Sequence, residues 1–158
     1  MAAVEVSQAF ISAAKSIMTG DATLRTIVGL STVALLSERI RYVEAHADPG
    51  EDEEPKEFFI CHEIDLDYGR WPDLSGRYIQ TINDYGDNAA MLLQVVRRLK
   101  GLFIERRLAP PSDEFSACRI YPLDAGSIPT GDDLRWQHAI IWQVSLFAKD
   151  EVTTVLAR

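Results

Sequence analysis

Residues 88–103 read NAAMLLQVVRRLKGLF, the most regular pattern in the chain. Apolar residues return every three or four positions, as on one face of an amphipathic helix, and they are Met91, Leu92, Val95, Val96, Leu99, Leu102 and Phe103. The opposite face carries Gln94, Arg97, Arg98 and Lys100. Pro110 and Pro111 forbid continuation. The pattern predicts a long helix over residues 87–107, with an apolar face that another layer of the fold must bury.

Stretches on both sides of this helix alternate between apolar and polar residues, which is the period of a β-strand. The predicted strands cover residues 58–66, 77–82, 117–123 and 136–148. In the last of them Ile140, Trp142, Val144 and Leu146 should share one face. The first two strands should pair as a hairpin with a long connection, DYGRWPDLSG, over residues 67–76.

The N-terminal part predicts two helices. Val6, Phe10, Ala13 and Ile17 recur at helical spacing up to Gly20, and Asp21 can cap a short second helix that ends near Gly29. Residues 33–43 fit either a helix or a short strand, and we expect a strand at residues 39–43.

The element order lacks the βαβ alternation that a parallel sheet requires. We therefore expect one α+β domain over residues 1–158: a mostly antiparallel sheet of four to five strands, with the long helix and the short N-terminal helical unit packed on one face. An acidic loop at 47–57, a turn-rich loop at 124–135 and a tail at 152–158 lack the apolar residues of a core.

Composition limits the possible partners. The net charge of -8 disfavours sequence-independent binding to nucleic acid or to anionic lipid. No export signal or membrane span is visible, so the sequence predicts a soluble cytoplasmic product. Cys61 and Cys118 stand in separate predicted strands without metal-ligand spacing, which indicates free thiols.

Catalytic and metal motifs are weak or missing. Asp65, Asp67 and Gly69 resemble the opening of a calcium loop, but a glycine replaces an oxygen ligand and the closing Glu is missing. His46, His62 and His138 are scattered, and Cys61 and His62 should point to opposite faces of one strand. Glycine-rich phosphate loops and G-x-S-x-G are absent. We expect no enzyme, no metal and no cofactor.

With no enzyme, metal or cofactor role expected, we expect the chain to act through contacts with other proteins. Trp71, beside Arg70 in a turn-rich segment, is a candidate anchor because Trp and Arg are frequent at interface hot spots. Trp136, at the start of the last strand, fits either the core or the rim of an interface. The full set of candidate interface residues is Arg70, Trp71, Asp73, Trp136, Asp52, Glu53 and Glu54.

Six segments together resemble the tail-terminator or tail-completion proteins of long-tailed bacteriophages. They are GDATLRTIVGL (20–30), ERIRYV (38–43), FFICHEIDL (58–66), GRYIQTI (76–82), NAAMLLQVVRRLKGLF (88–103) and HAIIWQVSLFA (138–148). The resemblance spans roughly residues 8–150. It lies in the order and general character of the elements, without a diagnostic motif. The chain departs from the family by a longer acidic loop at 47–56 and a longer segment at 108–135.

The resemblance implies a virion structural protein at the tail-neck junction, assembled in the host cytoplasm. Such a protein forms a ring, usually a homo-hexamer, that caps the tail tube, stops its elongation and meets a head-side neck protein, while DNA passes through the lumen unbound. Another neck component, such as a head-closure or adaptor protein, is an alternative. A small intracellular α+β enzyme or ligand-binding domain would require a polar cluster in a pocket.

Overall fold

The computed structural model describes residues 2–42, 58–67, 69–70, 73–84, 89–104, 115–127 and 136–148. Five strands form one sheet: β1 (Ile40–Tyr42), β2 (Phe58–Asp67), β3 (Asp73–Asp84), β4 (Phe115–Ser127) and β5 (Trp136–Ala148). Their order across the sheet is β1-β2-β3-β5-β4. All pairs are antiparallel except β1 with β2, which run parallel. The expected α+β class and mostly antiparallel sheet are confirmed.

Four helices accompany the sheet in the described ranges: α1 (Ala2–Thr19), α2 (Ala22–Val28), α3 (Val33–Ser37) and α4 (Ala89–Phe103). Asp21 caps α2 by accepting the amide N–H of Leu24 at 2.8 Å. Gly29 ends α2 in the left-handed region with a φ of 72°, which glycine adopts without a Cβ clash. The predicted caps therefore lie where the sequence pattern placed them.

Helices α1 and α4 lie against the central strands, α1 on β2 and α4 on β3 and β5. The core lies between these layers, because alternate positions of the strands bury their side chains beneath the helices. Its aromatic centre joins Phe10 to Tyr78 at 4.9 Å between ring centroids, and Phe103 to Trp142 at 6.0 Å. Ile140, Trp142, Val144 and Leu146 are all buried, as the period of β5 predicts.

Several boundaries differ from the sequence predictions. The long helix was predicted over residues 87–107, but α4 ends at Phe103 and Ile104 lies in a turn. The sequence of residues 33–43 fits either a helix or a strand, and the structure has both, since helix α3 is followed closely by strand β1. Strand β3 begins at Asp73 rather than at residue 77, so the predicted long connection shrinks to residues 68–72. Strand β4 continues through Pro122 to Ser127, into the predicted turn-rich loop. A proline is tolerated there because β4 is an edge strand with a register shift at that point.

Candidate functional site

The hairpin between β2 and β3 carries two of the predicted interface residues. Arg70 lies in the turn, and its backbone carbonyl accepts the amide N–H of Asp73 at 2.8 Å. Both side chains are exposed. The Asp67 carboxylate accepts the amide N–H of Gly69 at 2.8 Å, so it closes the turn. Trp71 lies outside the described residues, as do Asp52, Glu53 and Glu54 of the acidic loop.

Trp136 belongs to the other end of the sheet. It is the first residue of β5 and pairs with Asp84, whereas Asp73 at the far end of β3 pairs with Phe147. Eleven residue steps along a strand separate the two positions, which is about 36 Å at the usual rise. Only the backbone of Trp136 is described. Among the described residues, the hairpin that carries Arg70 and Asp73 therefore lies far from Trp136, and the role of the predicted interface residues stays a prediction.

Several exposed apolar side chains lie at the edges of the sheet, where sequence reasoning did not place them. Eight large apolar side chains in the described part of the chain are 39% to 51% exposed. Val33, Leu35 and Tyr42 lie on α3 and β1. Tyr121, Leu123 and Phe147 lie on β4 and β5, where Phe147 pairs with Ala117, four positions from Tyr121. The remaining two, Leu93 and Ile104, belong to α4 and the residue that follows it.

Tyr42 and Tyr121 lie at opposite edges of the sheet, because β1 is the first strand in spatial order and β4 the last. They also differ in face. Ile40 is buried in the core, so Tyr42, two residues on, lies on the helix-covered face. Ile120 is buried in the core as well, so its neighbour Tyr121 lies on the opposite face.

Charged side chains accompany the apolar residues at both edges. Glu38 follows α3 directly and is exposed, and Arg39 and Arg41 come after it. Arg119 lies two residues before Tyr121 in β4, hence on the same face of that strand, and its partner in β5 is Ser145. Neither Glu38 nor Arg119 forms a salt bridge with another described residue.

The edge strand β4 is itself open to pairing. It is thirteen residues long, and among the described strands only β5 pairs with it. Long open edges attract other strands, and proteins usually interrupt them with prolines or bulges. Pro122 and the two register shifts of β4, at residues 115–117 and 122–124, are interruptions of this kind.

Buried polar groups on the helix-covered face form hydrogen bonds with one another inside the core. The Nδ1 atom of His62 pairs with the hydroxyl of Tyr78 at 2.7 Å. Burial lowers the pKa of His62 to about 4, and it raises the pKa of Tyr78 above its ordinary value. Gln80 accepts the indole N–H of Trp142 at 2.8 Å and is fully buried. The imidazole is thus neutral and enclosed, which suits a structural hydrogen bond.

Cys61 lies on the other face of β2, as the alternation predicts. Its Sγ accepts a weak hydrogen bond at 3.9 Å from the side-chain amide of Asn83, which is also buried. Burial raises the pKa of the Cys61 thiol to about 12, so it stays protonated near neutral pH. Only the backbone of Cys118 is described. A protonated, buried thiol is a poor nucleophile and a poor metal ligand.

The described residues contain no group of three or more His, Cys, Asp or Glu side chains arranged to hold a metal ion. None of the described helices combines the length and the apolar character needed to cross a membrane.

The described architecture is that of an α+β protein with helices on one face of a mostly antiparallel sheet. No protein-family model matches the sequence. No curated protein matches it either. A similar structure is a chain in the "Virion of native gene transfer agent (GTA) particle", with a TM-score of 0.61. The match covers 86% of this chain and 92% of the other at 9% sequence identity, so the likeness concerns the fold.

Proposed function

We propose that the chain is a structural protein of a phage-like particle, and more narrowly a tail terminator. In this role it forms a ring on the end of the tail tube, stops tail elongation and provides the joint to the head. The observation that carries the proposal is the fold shared, over nearly the whole length of both chains, with a chain of the gene transfer agent virion. The order of elements in the sequence supports the narrower role.

A ring role agrees with the surface of the subunit. Closed rings are built from head-to-tail contacts, in which two different patches of each subunit meet. The edge strands β1 and β4 lie on opposite sides of the described sheet and differ in sequence, so they can supply two such surfaces. The proposed partners are other copies of the chain, most simply six, together with the tube protein on one side and a head-side neck protein on the other. Six copies of 17.7 kDa weigh about 106 kDa.

The charge of the chain also fits a channel for DNA. A net charge of -8 per subunit repels phosphate groups, so DNA can pass through the lumen without binding to its wall. The proposed location is the tail-neck junction of the particle, reached after assembly in the host cytoplasm.

The test is deletion of the gene in the host that produces the particle, followed by electron microscopy of the particles. A tail terminator predicts overlong or headless tails, and a plasmid copy of the gene should restore normal particles. Free tails of normal length beside DNA-filled heads would indicate a head-side neck protein instead. Tails of normal length joined to heads would contradict a role at this junction.

A further inference from the structure

We propose that the outer edge of strand β4 binds the C-terminal segment of a neighbouring copy of this chain, residues 149–158 (KDEVTTVLAR), as an added strand. The inference rests on the proposed function in that it takes the partner to be a second copy. It adds which edge and which segment make one contact of the assembly.

The outer edge of β4 is long and accessible. The side chains of Arg119, Tyr121, Pro122 and Leu123 are all exposed, so the middle of this strand is in contact with solvent. The stretch between its two register shifts, residues 117–122, is regular over six residues. Backbone N–H and C=O groups along such an edge can form hydrogen bonds with a further strand, which is a common mode of peptide recognition.

The C-terminal segment starts beside this edge. Residues 149–158 lie outside the described residues, but the point from which they depart is described. Strand β5 ends at Ala148, and Ala148 pairs with Phe115, the first residue of β4. The segment therefore leaves the sheet at the corner where the edge strand begins.

The sequence of the segment has the composition of a strand. Residues 152–155 are Val, Thr, Thr and Val, four β-branched residues in succession, and this class has a high preference for strands. Leu156 and Ala157 follow without Gly or Pro. Residues 152–157 are thus six residues able to pair along the six regular residues of the β4 edge.

The topology of the sheet favours the edge of a neighbouring copy. Because β4 lies beside β5, the outer edge of β4 is two strand spacings from β5, about 10 Å. Within one chain, the link of residues 149–151 would have to arch around the beginning of β4 to reach that edge. A neighbouring copy removes this constraint. The contact then joins a segment of one copy to a different surface of the next, as a closed ring requires.

Proline variants of the full-length chain test the contact. Thr154→Pro combined with Val155→Pro removes two consecutive N–H groups, and one of them would point at β4 in any register. This variant should weaken self-association about tenfold or more in analytical ultracentrifugation. The matched control, Thr154→Ala combined with Val155→Ala, keeps both N–H groups and should assemble much more like the wild type.

A labelled peptide tests the mode of binding. Fluorescein-labelled KDEVTTVLAR should bind the proline variant, whose β4 edge the proposal leaves unoccupied, and fluorescence anisotropy measures the affinity. Only every second N–H of a strand at an edge points at its partner. Methylating the amide nitrogens of residues 152, 154 and 156, or of residues 153, 155 and 157, should therefore abolish binding in one peptide and spare it in the other.

Four outcomes would overturn the proposed contact. They are a wild type that stays monomeric up to about 1 mM, a proline variant that associates like its alanine control, a peptide that does not bind, and two methylated peptides that bind equally. A monomeric wild type whose melting temperature falls in the proline variant but not in the alanine control would show that the segment binds the edge of its own chain instead.

Particle phenotypes separate this inference from the proposed function. If the gene deletion gives overlong tails but the proline variant restores normal ones, the tail role holds and the assigned contact is wrong. If the deletion leaves tails of normal length joined to heads although the peptide binds as a strand, the contact holds and the tail role is wrong.

Discussion

Replacing Asp21 tests how the N-terminal helices are attached to the rest of the fold. Its carboxylate caps α2 through the amide of Leu24, and it also accepts two hydrogen bonds from the Arg98 guanidinium on α4, at 2.8 and 2.6 Å. The side chain of Asp21 is 12% exposed and that of Arg98 is 36% exposed. Asp21→Ala removes both functions, whereas Asp21→Asn keeps a good cap and removes the charge.

The expected losses follow from these contacts. An N-cap contributes about 1 kcal/mol to the free energy of unfolding. The bidentate ion pair contributes about 0.5–1 kcal/mol, because solvent screens the exposed Arg98. Asp21→Ala should therefore cost about 1.5–2 kcal/mol and lower the melting temperature by about 3–8 °C in a domain of this size. Asp21→Asn should lose only the ion-pair part.

Urea unfolding at several pH values is the assay. Hydrogen bonds from Arg98 hold the pKa of Asp21 below its ordinary value of 3.8. Its contribution is therefore complete above that value and disappears as the pH falls through the lowered pKa. The difference between wild type and Asp21→Asn should be constant at neutral pH and vanish in acid. A difference that persists after the carboxyl group is protonated, or an alanine variant as stable as the wild type, would refute this reasoning.

Three further predictions concern the stability of the fold. Between about pH 6.5 and 4, His62 should bind a proton when the protein unfolds, so the stability should fall as the pH drops through this range. In urea titrations, His62→Gln should remove this pH dependence. Gln80→Leu removes the hydrogen-bond acceptor of the buried Trp142 indole N–H and should lower the free energy of unfolding by about 1–3 kcal/mol. A double-mutant cycle with Trp142→Phe should show the coupling between the two side chains. In melting experiments Gly76→Ala should destabilise the fold strongly, because a Cβ there would overlap the backbone of β2. By contrast, Gly101→Ala in α4 should stabilise the fold by about 0.5–1 kcal/mol, because no atom lies close to the added Cβ.

Helix α4 and strand β5 were predictable from the sequence because local periodicity and burial agree in them. The apolar stripe of α4 is the face that packs, from Leu92 to Phe103. In β5 the alternate residues around Trp142 enter the core, and the structure confirms that this tryptophan is fully buried. In both elements one layer of the fold covers one face, so the pattern of apolar residues records the contact directly.

The edges of the sheet could not be predicted in the same way. Strand β4 continues beyond Pro122 because its outer side has no strand in the described fold that would need the missing N–H. Residues 33–37 form a helix because Thr32 caps it, accepting the amide N–H of Leu35 at 3.2 Å, although the apolar pattern there also fits a strand. These outcomes depend on neighbours across the fold, which local patterns do not contain.

The candidate site depended even more on tertiary structure. Trp71 and Arg70 are interface candidates because their residue types are common in interfaces, but a residue type does not tell whether the side chain is exposed. Val33 and Leu35 occur in an apolar run that reads like core, yet only their neighbour Leu36 is buried. Tyr121 alternates with Ile120 as any strand residue would, and its exposure follows from its place on the face opposite the helix-covered core.

Helix α3 and strand β1 are attached to the rest of the fold by a few hydrogen bonds. Thr32 caps α3, and the carbonyl of Arg39 accepts the amide N–H of Ile60 at 2.7 Å. The Arg39 guanidinium also donates to the carbonyl of Phe58 at 3.0 Å. Arg39 therefore joins this edge to β2 with its backbone and its side chain together, and a local sequence pattern does not reveal such a contact.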